Sequence, residues 1–207
     1  MNRAEKILKA LRGHYGEDAF TVSPEEPFKA LIGCILSQST RDKNASRAAT
    51  ALFSVASTPQ QILALDPTVL RQLIHPSGYY NQKAKYIIGA SKAIVERFGG
   101  VTPRTRTELI TLPGVGPKTA DIVLSYGFGE PAIAVDTHIN RVTKRLGLAN
   151  DKASPADIKI TLESSLPLKD YSYADGAILS IGKEYCKTGR PRCGECPLEQ
   201  VCEKCGV

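Results

Sequence analysis

Apolar residues return every three or four positions along nearly all of this 207-residue chain. That period lets a helix bury one face. Ala4, Ile7, Leu8 and Leu11 form the first such stripe, and Phe28, Leu31, Ile32, Ile35 and Leu36 the second. Ala45, Ala48, Ala49, Leu52 and Phe53 form a third, behind Asp42. Further stripes run through Ala84, Ile87, Ile88, Ile94, Val95 and Phe98, then Ala120, Val123 and Leu124, then Ile139, Val142 and Leu146. Tyr171, Ala174, Ile178, Ile181 and Tyr185 make the last. Pro and Gly fall between them, where helices stop and start, and Ser23-Pro24-Glu25-Glu26 has the form of a capping box ahead of the second stripe. No segment sustains the period-two alternation of a half-buried strand. The expected class is all-α, built of many short helices, as one large domain or two small lobes.

Four cysteines then fix how the chain ends, in the pattern Cys186-x6-Cys193-x2-Cys196-x5-Cys202. Four thiolates in so short a span can enclose one metal centre, either structural zinc or an iron–sulfur cluster. A disulfide framework suits small secreted chains that lack a core, which this one does not. Cys193-x2-Cys196 and Cys202-x2-Cys205 superficially form the two knuckles of a zinc ribbon, leaving Cys186 spare. The spacer between those knuckles is short for a ribbon, and Pro197 directly after Cys196 matches the Cys-Pro step of cluster-binding loops. The favoured ligands are therefore Cys186, Cys193, Cys196 and Cys202, with Cys205 outside the set. Cys34, within an apolar stripe, is expected to act as a small buried hydrophobe.

Between two helical stripes lies Leu112-Pro113-Gly114-Val115-Gly116-Pro117-Lys118-Thr119-Ala120. Two glycines one residue apart let the backbone turn sharply and approach a ligand with no Cβ in the way. Pro117 suits the first turn of the next helix. The N–H groups of such a turn, at Gly114, Val115 and Gly116, backed by a helix N-terminus, form a small anion site fit for one phosphate. A tight helix–helix turn with no ligand is the plainer alternative. The whole string has the form of a helix-hairpin-helix, a device that holds DNA by its backbone without reading bases.

Lys118 falls in the first turn of that helix. A nucleophilic amine must be neutral, and the positive end of a helix dipole disfavours a second positive charge beside it. Downstream, in Val135-Asp136-Thr137-His138-Ile139-Asn140-Arg141, Asp136 is placed to cap a helix. A helix from Pro117 to about Tyr126 would rise ~15 Å, and the residues from Gly127 to Val135 can span up to ~30 Å. The chain is thus long enough to return Asp136 to the end where Lys118 starts. A fixed carboxylate near an amine fits covalent catalysis at a centre that develops positive charge.

The formal charge of +6 favours a polyanionic partner. No stretch is long and apolar enough to span a membrane. The opening Met1-Asn2-Arg3-Ala4-Glu5-Lys6 has no following hydrophobic region, which points to an intracellular, cytoplasmic setting where thiolates persist.

Taken in order, LPGVGPKTA, VDTHINRV and C-x6-C-x2-C-x5-C resemble the endonuclease III family of helix-hairpin-helix DNA glycosylases. The likeness extends to Leu36-Ser37-Gln38-Ser39-Thr40-Arg41-Asp42 and Gly78-Tyr79-Tyr80-Asn81-Gln82-Lys83-Ala84 and so covers nearly the whole chain. It implies a two-lobed all-α fold with a DNA cleft: a six-helix lobe over residues 21–130, and a second lobe of residues 1–20 and 131–207 carrying a [4Fe–4S] cluster. It implies a monomeric enzyme acting on double-stranded DNA that contains damaged bases or abasic sites. Lys118 would be the nucleophile that forms a Schiff base at C1′, and Asp136 the carboxylate that stabilises the sugar cation. Lys118 also argues against an adenine-specific mismatch glycosylase, since relatives lacking the lysine only remove the base. The loop between the first two cysteines, with Lys187, Arg190 and Arg192, would meet phosphates. Two departures bear on the lesion. Gln38 follows Ser37 directly where a Ser-Ala pair is usual, so either Gln38 or Ser39 would enter the duplex. Tyr79 stands where a leucine wedge is common, and its ring would stack on the orphan base. Pro117 also replaces a basic residue often found there. Oxidised pyrimidines are the family default, with alkylated bases or mismatched thymine as alternatives. A non-catalytic DNA-binding protein is the reading from a different class.

Overall fold

The structure is a computed structural model and describes residues 2–207. It is helical, with no strand among the described residues. The chain divides into two compact units: Ser23–Glu130 is continuous, whereas Met1–Val22 and Pro131–Val207 together make the other. No helix among the described residues is long and apolar enough to cross a membrane.

The continuous unit holds α2 (Pro27–Ser37), α3 (Asp42–Phe53), α4 (Pro59–Ala64), α5 (Pro67–Ile74), α6 (Tyr80–Phe98), α7 (Arg106–Ile110) and α8 (Pro117–Ile122). Local chemistry sets most starts. Thr58 and Asp66 cap α4 and α5, each followed by a proline whose missing N–H costs nothing at the first helical position. α2 begins later than the expected capping box: Glu26 is its cap, accepting from the amides of Phe28 and Lys29, and Pro27 opens the helix. α6 ends at Gly99 in the left-handed conformation (φ 63°). The expected helix from Pro117 to about Tyr126 is continuous but changes type, because Val123–Gly127 forms a π-helical turn after α8. The stripes read from the sequence fill this core, with Leu31, Ile32, Ile35, Leu36, Leu52, Ile87 and Ile94 fully buried.

The discontinuous unit holds α1 (Arg3–Tyr15), α9 (Thr137–Arg145), α10 (Pro155–Ser165) and α11 (Tyr171–Glu184). Its core joins Ile7 and Leu11 of α1 to Ile139 and Val142 of α9, Ile158 and Leu162 of α10 and Ile178 and Ile181 of α11. Capping boxes start both α1 (Asn2 with Glu5) and α10 (Ser154 with Asp157). Arg3 fastens α1 to the rest by donating to the carbonyls of Leu146 and Val201, and it pairs with Glu203. Arg12 pairs with the buried Asp170 at 2.8 Å and lies over the Tyr173 ring.

Candidate functional site

Three irregular segments of the continuous unit meet at the start of α6. The first follows α2, where Gln38 and Ser39 end the helix and Ser39 is left-handed (φ 52°). The second is the short 3-10 turn His75–Ser77 with Gly78, after which Tyr79 is left-handed too (φ 48°) and caps α6. The third is the glycine hairpin. Gln38, Ser39 and Tyr79 line one pocket together with Gln82, Lys83 and Tyr86. Tyr79 is the most exposed of the large aromatic side chains, at 73%. Left-handed backbone is uncommon outside glycine and costs ~1–3 kcal/mol in a residue with a Cβ. Two such residues beside one pocket mark a place where the fold holds the backbone in conformations it would not choose.

The hairpin is tied to this pocket. Gln38 donates from Nε2 to the Gly114 carbonyl at 2.9 Å. Gly114 is left-handed (φ 79°), and a Cβ there would stand 2.7 Å from the Cβ and Cγ of Tyr86, so only glycine fits. Gly116 differs: its φ is −97° and a Cβ would meet nothing within 4 Å. Sterics therefore do not require glycine at 116, which serves as the N-cap of α8, a position that glycine suits. The Val115 amide is occupied by the Leu112 carbonyl at 3.1 Å and its side chain is buried. Among the three hairpin amides, that of Val115 is thus taken up within the turn, whereas those of Gly114 and Gly116 have no backbone acceptor. Lys118 is exposed at the second position of α8. Cys34 is half-buried, its thiol pushed up to about 12 by burial, with Lys118 acting in the opposite sense.

In the discontinuous unit, Asp136 caps α9, its Oδ1 accepting from the amides of His138 and Ile139 at 2.8 Å each. The same helix braces the cysteine segment. Arg141 donates to the carbonyls of Cys186 (2.8 Å) and Gly182 (3.0 Å). Arg145 donates to the carbonyls of Lys187 and Thr188 and, at 3.4 Å, to the Cys186 sulfur. The sequence flagged neither arginine, because main-chain acceptors carry no residue-type signal. Lys187 and Arg190 are exposed. Arg192 is held, pairing with Glu195 at 3.0 Å, donating to the Glu184 carbonyl at 2.7 Å and lying over the Tyr185 ring.

Cys186, Cys193, Cys196 and Cys202 line one small cavity beside this core, and Cys205 does not. Burial raises the Cys196 thiol first, and the other three cysteines raise it further, as converging thiols should. The Lys204 amide donates to the Cys202 sulfur at 3.4 Å and the Leu198 amide to that of Cys196, so three of the four sulfurs have donors suited to thiolates. No group of three or more His, Cys, Asp or Glu side chains among the described residues is gathered to hold a single metal ion. With Zn–S bonds of ~2.3 Å, one zinc would draw four sulfurs into a tight tetrahedron. Four cysteines on one cavity are a donor set that either kind of centre can use.

These features coincide with a known family. The HhH-GPD superfamily of base excision DNA repair proteins matches residues 32–168. The endonuclease III of Thermotoga maritima is 43% identical over 178 residues, covering 86% of this chain and 83% of its own. That of Escherichia coli K12 is 35% identical over 205 residues, covering 98% and 97%. A solved structure of a trapped endonuclease III–DNA covalent intermediate superposes with a TM-score of 0.88 at 33% identity, over 99% of this chain and 97% of that one. On profile, identity and fold alike, the chain belongs to the HhH-GPD superfamily of base excision DNA repair proteins, within its endonuclease III family.

Proposed function

We propose that this protein removes damaged bases, by family default oxidised pyrimidines, from double-stranded DNA and then cuts the strand at the abasic site, using Lys118 as nucleophile. The activity itself, DNA glycosylase and abasic-site lyase of base excision repair, is the one its relatives share. The observation that carries the mechanism is an exposed lysine in the first turn after a glycine hairpin whose outer amides are free for a phosphate. The hairpin holds the backbone, and the base is extruded for chemistry that cannot occur inside the stack. The neutral amine of Lys118 adds to C1′ as the glycosidic bond breaks, and the base leaves with the bonding electrons and is protonated. Opening of the sugar ring gives a Schiff base. Loss of a C2′ proton then expels the 3′ phosphate by β-elimination. Asp136, fixed by the two amides it caps, stabilises the positive charge that develops on the sugar. Tyr79 and Gln38 or Ser39 occupy the gap in the duplex. We further assign residues 21–130 as the hairpin-bearing lobe, and residues 1–20 with 131–207 as the lobe carrying the cysteines.

Cys186, Cys193, Cys196 and Cys202 would hold a [4Fe–4S] cluster. When bound, it would serve as a structural staple that orders Lys187 to Arg192. Iron, zinc and colour test it: about four irons per chain and a yellow-brown protein are expected, and colourless protein with one zinc overturns it.

Borohydride trapping on an abasic duplex tests the mechanism, because only an imine is reduced to a stable link. Wild type should be trapped. Lys118→Gln should lose trapping and nicking while binding DNA as before. Full trapping by that variant would make another amine the nucleophile. Binding with no trapping in wild type would favour the non-catalytic reading.

A further inference from the structure

Lys83 is 2% exposed, yet it carries an ammonium group and faces no carboxylate. It sits on the buried stripe of α6, in line with Ile87 and Ala90. Its Nζ donates to the carbonyls of Leu36 and Ser77, at 2.8 Å each. Desolvation pulls its pKa below the ordinary lysine value. A buried charge without a counter-charge is costly, and two neutral carbonyls return only part of its lost hydration. A methionine or leucine would fill the same space more cheaply if filling space were the only task.

The two acceptors explain the position. Leu36 belongs to the last turn of α2, where carbonyls lack helical partners and the dipole is negative. Three residues on comes the left-handed Ser39. Ser77 ends the 3-10 turn, and two residues on comes the left-handed Tyr79. One ammonium thus grips the chain just before each of the two strained residues, and it lines the pocket that both of them flank. Few groups can do this. An ammonium offers three donors and no acceptor, so it can hold two carbonyls that would otherwise repel each other. Tyr86, one turn along the same face of α6, packs on Gly114, and Gln38 holds the Gly114 carbonyl.

We propose that Lys83 is a positioning residue that clamps the Gln38–Ser39 and Tyr79 turns at a fixed separation, so that both enter a damaged duplex together. This rests on the proposed role of those turns in DNA. It assigns Lys83 no contact with substrate. Its consequence is selective: discrimination of a damaged site should depend on the clamp, whereas phosphate binding by the hairpin should not.

The test compares wild type with Lys83→Met, which keeps the length and loses the donors. Affinity is measured for a duplex carrying a tetrahydrofuran abasic analogue and for the same duplex undamaged. The ratio of the two affinities should fall about tenfold. Loss of folded protein lowers both affinities alike and leaves the ratio unchanged, so an unchanged ratio overturns the proposal. Hydrogen exchange gives a readout that needs no DNA: residues 37–41 and 76–81 should exchange faster, with α3 and the body of α6 unchanged. Uniform acceleration, or none, also overturns it. If Lys83→Met does not fold, Lys83→Gln, which loses the charge but keeps N–H donors on a shorter side chain, is measured in the same two ways. The proposed enzymology fails separately, by absence of borohydride trapping in wild type, and that result leaves the exchange experiment intact.

Discussion

Gly114 and Gly116 stand two residues apart in one turn, and replacing each by alanine should have different consequences. At Gly114 the backbone is left-handed, which costs an alanine about 1 kcal/mol or more. The added Cβ would also lie 2.7 Å from the Cβ and Cγ of Tyr86, atoms close to the α6 backbone that cannot swing aside. Overpacking of that kind costs ~1–3 kcal/mol. The sum is about 2–4 kcal/mol, or roughly 8–16 °C in Tm for a body of this size. At Gly116 φ is −97° and the new methyl meets nothing within 4 Å. Alanine there should leave stability nearly unchanged, because a gain of ~0.4–1 kcal/mol through the unfolded chain is offset by its being a poorer N-cap of α8 than glycine. Its methyl would nevertheless stand where the proposed phosphate contact needs open space. Losing a hydrogen bond to a charged group costs ~1.5–3 kcal/mol, which is a tenfold to hundredfold loss of affinity. Thermal melts and duplex-binding titrations on both variants decide the matter. Wild-type DNA affinity in a stable Gly116→Ala protein would refute close backbone approach at this turn.

Asp136→Asn should keep the α9 cap through its remaining oxygen yet slow base excision by about 10² or more, as measured under single turnover. Arg190→Ala should reduce the slope of log affinity against log salt by ~0.9, the value of one phosphate contact; Arg192→Ala should instead lower thermal stability, because Arg192 is spent on Glu195 and the Glu184 carbonyl. Cys202→Ser should lose iron and colour, whereas Cys205→Ser should retain both, as metal analysis will read. Asp157 is held below the usual carboxylate range by hydrogen bonds from the Ser154 hydroxyl and amide. Its folded value is the lower one, so its cap acts fully above the unfolded carboxylate value of ~4 and is lost as the pH falls through the folded value. Asp157→Ala should therefore melt below wild type at pH 7, and the gap should close in acid.

The helical class was legible because each stripe repeats at a period no strand can use, and most residues in it are buried, although Phe53, Ile88, Val95, Phe98, Tyr171 and Tyr185 are only partly so. Asp136 was legible as a cap because capping is local chemistry: one side chain and two amides within three residues. The four cysteines likewise announce their convergence through spacing. The left-handed backbone at Ser39 and Tyr79 was not legible, since only glycine signals that conformation and neither residue is glycine. Lys83 left a trace in the sequence, a lysine on the buried line of Ile87 and Ala90, but a lysine near a helix start reads first as surface. Its partners are main-chain carbonyls, as are those of Arg141 and Arg145, and any residue could have supplied them. The hidden value of Gly116 against Gly114 is of the same kind. The two look alike in the string, and only the empty space beside one and the tyrosine beside the other tell them apart.

The division of the chain also orders events in time. Ser23–Glu130 is one uninterrupted stretch, whereas α1 must wait for partners that begin at Pro131. At ~5–20 residues per second on the ribosome, that interval lasts on the order of ten seconds. Throughout it the apolar face of α1, with Ile7, Leu8 and Leu11, has none of its final neighbours. The hairpin-bearing unit can meanwhile finish folding as an autonomous insert. Completion then requires the two ends of the chain to meet, as Arg3 reaches the carbonyls of Leu146 and Val201. Closing so long a loop adds little extra entropy cost, because that cost grows only with the logarithm of length. Until residues from Pro131 onward emerge, the apolar face of α1 is therefore an open hydrophobic surface on the nascent chain.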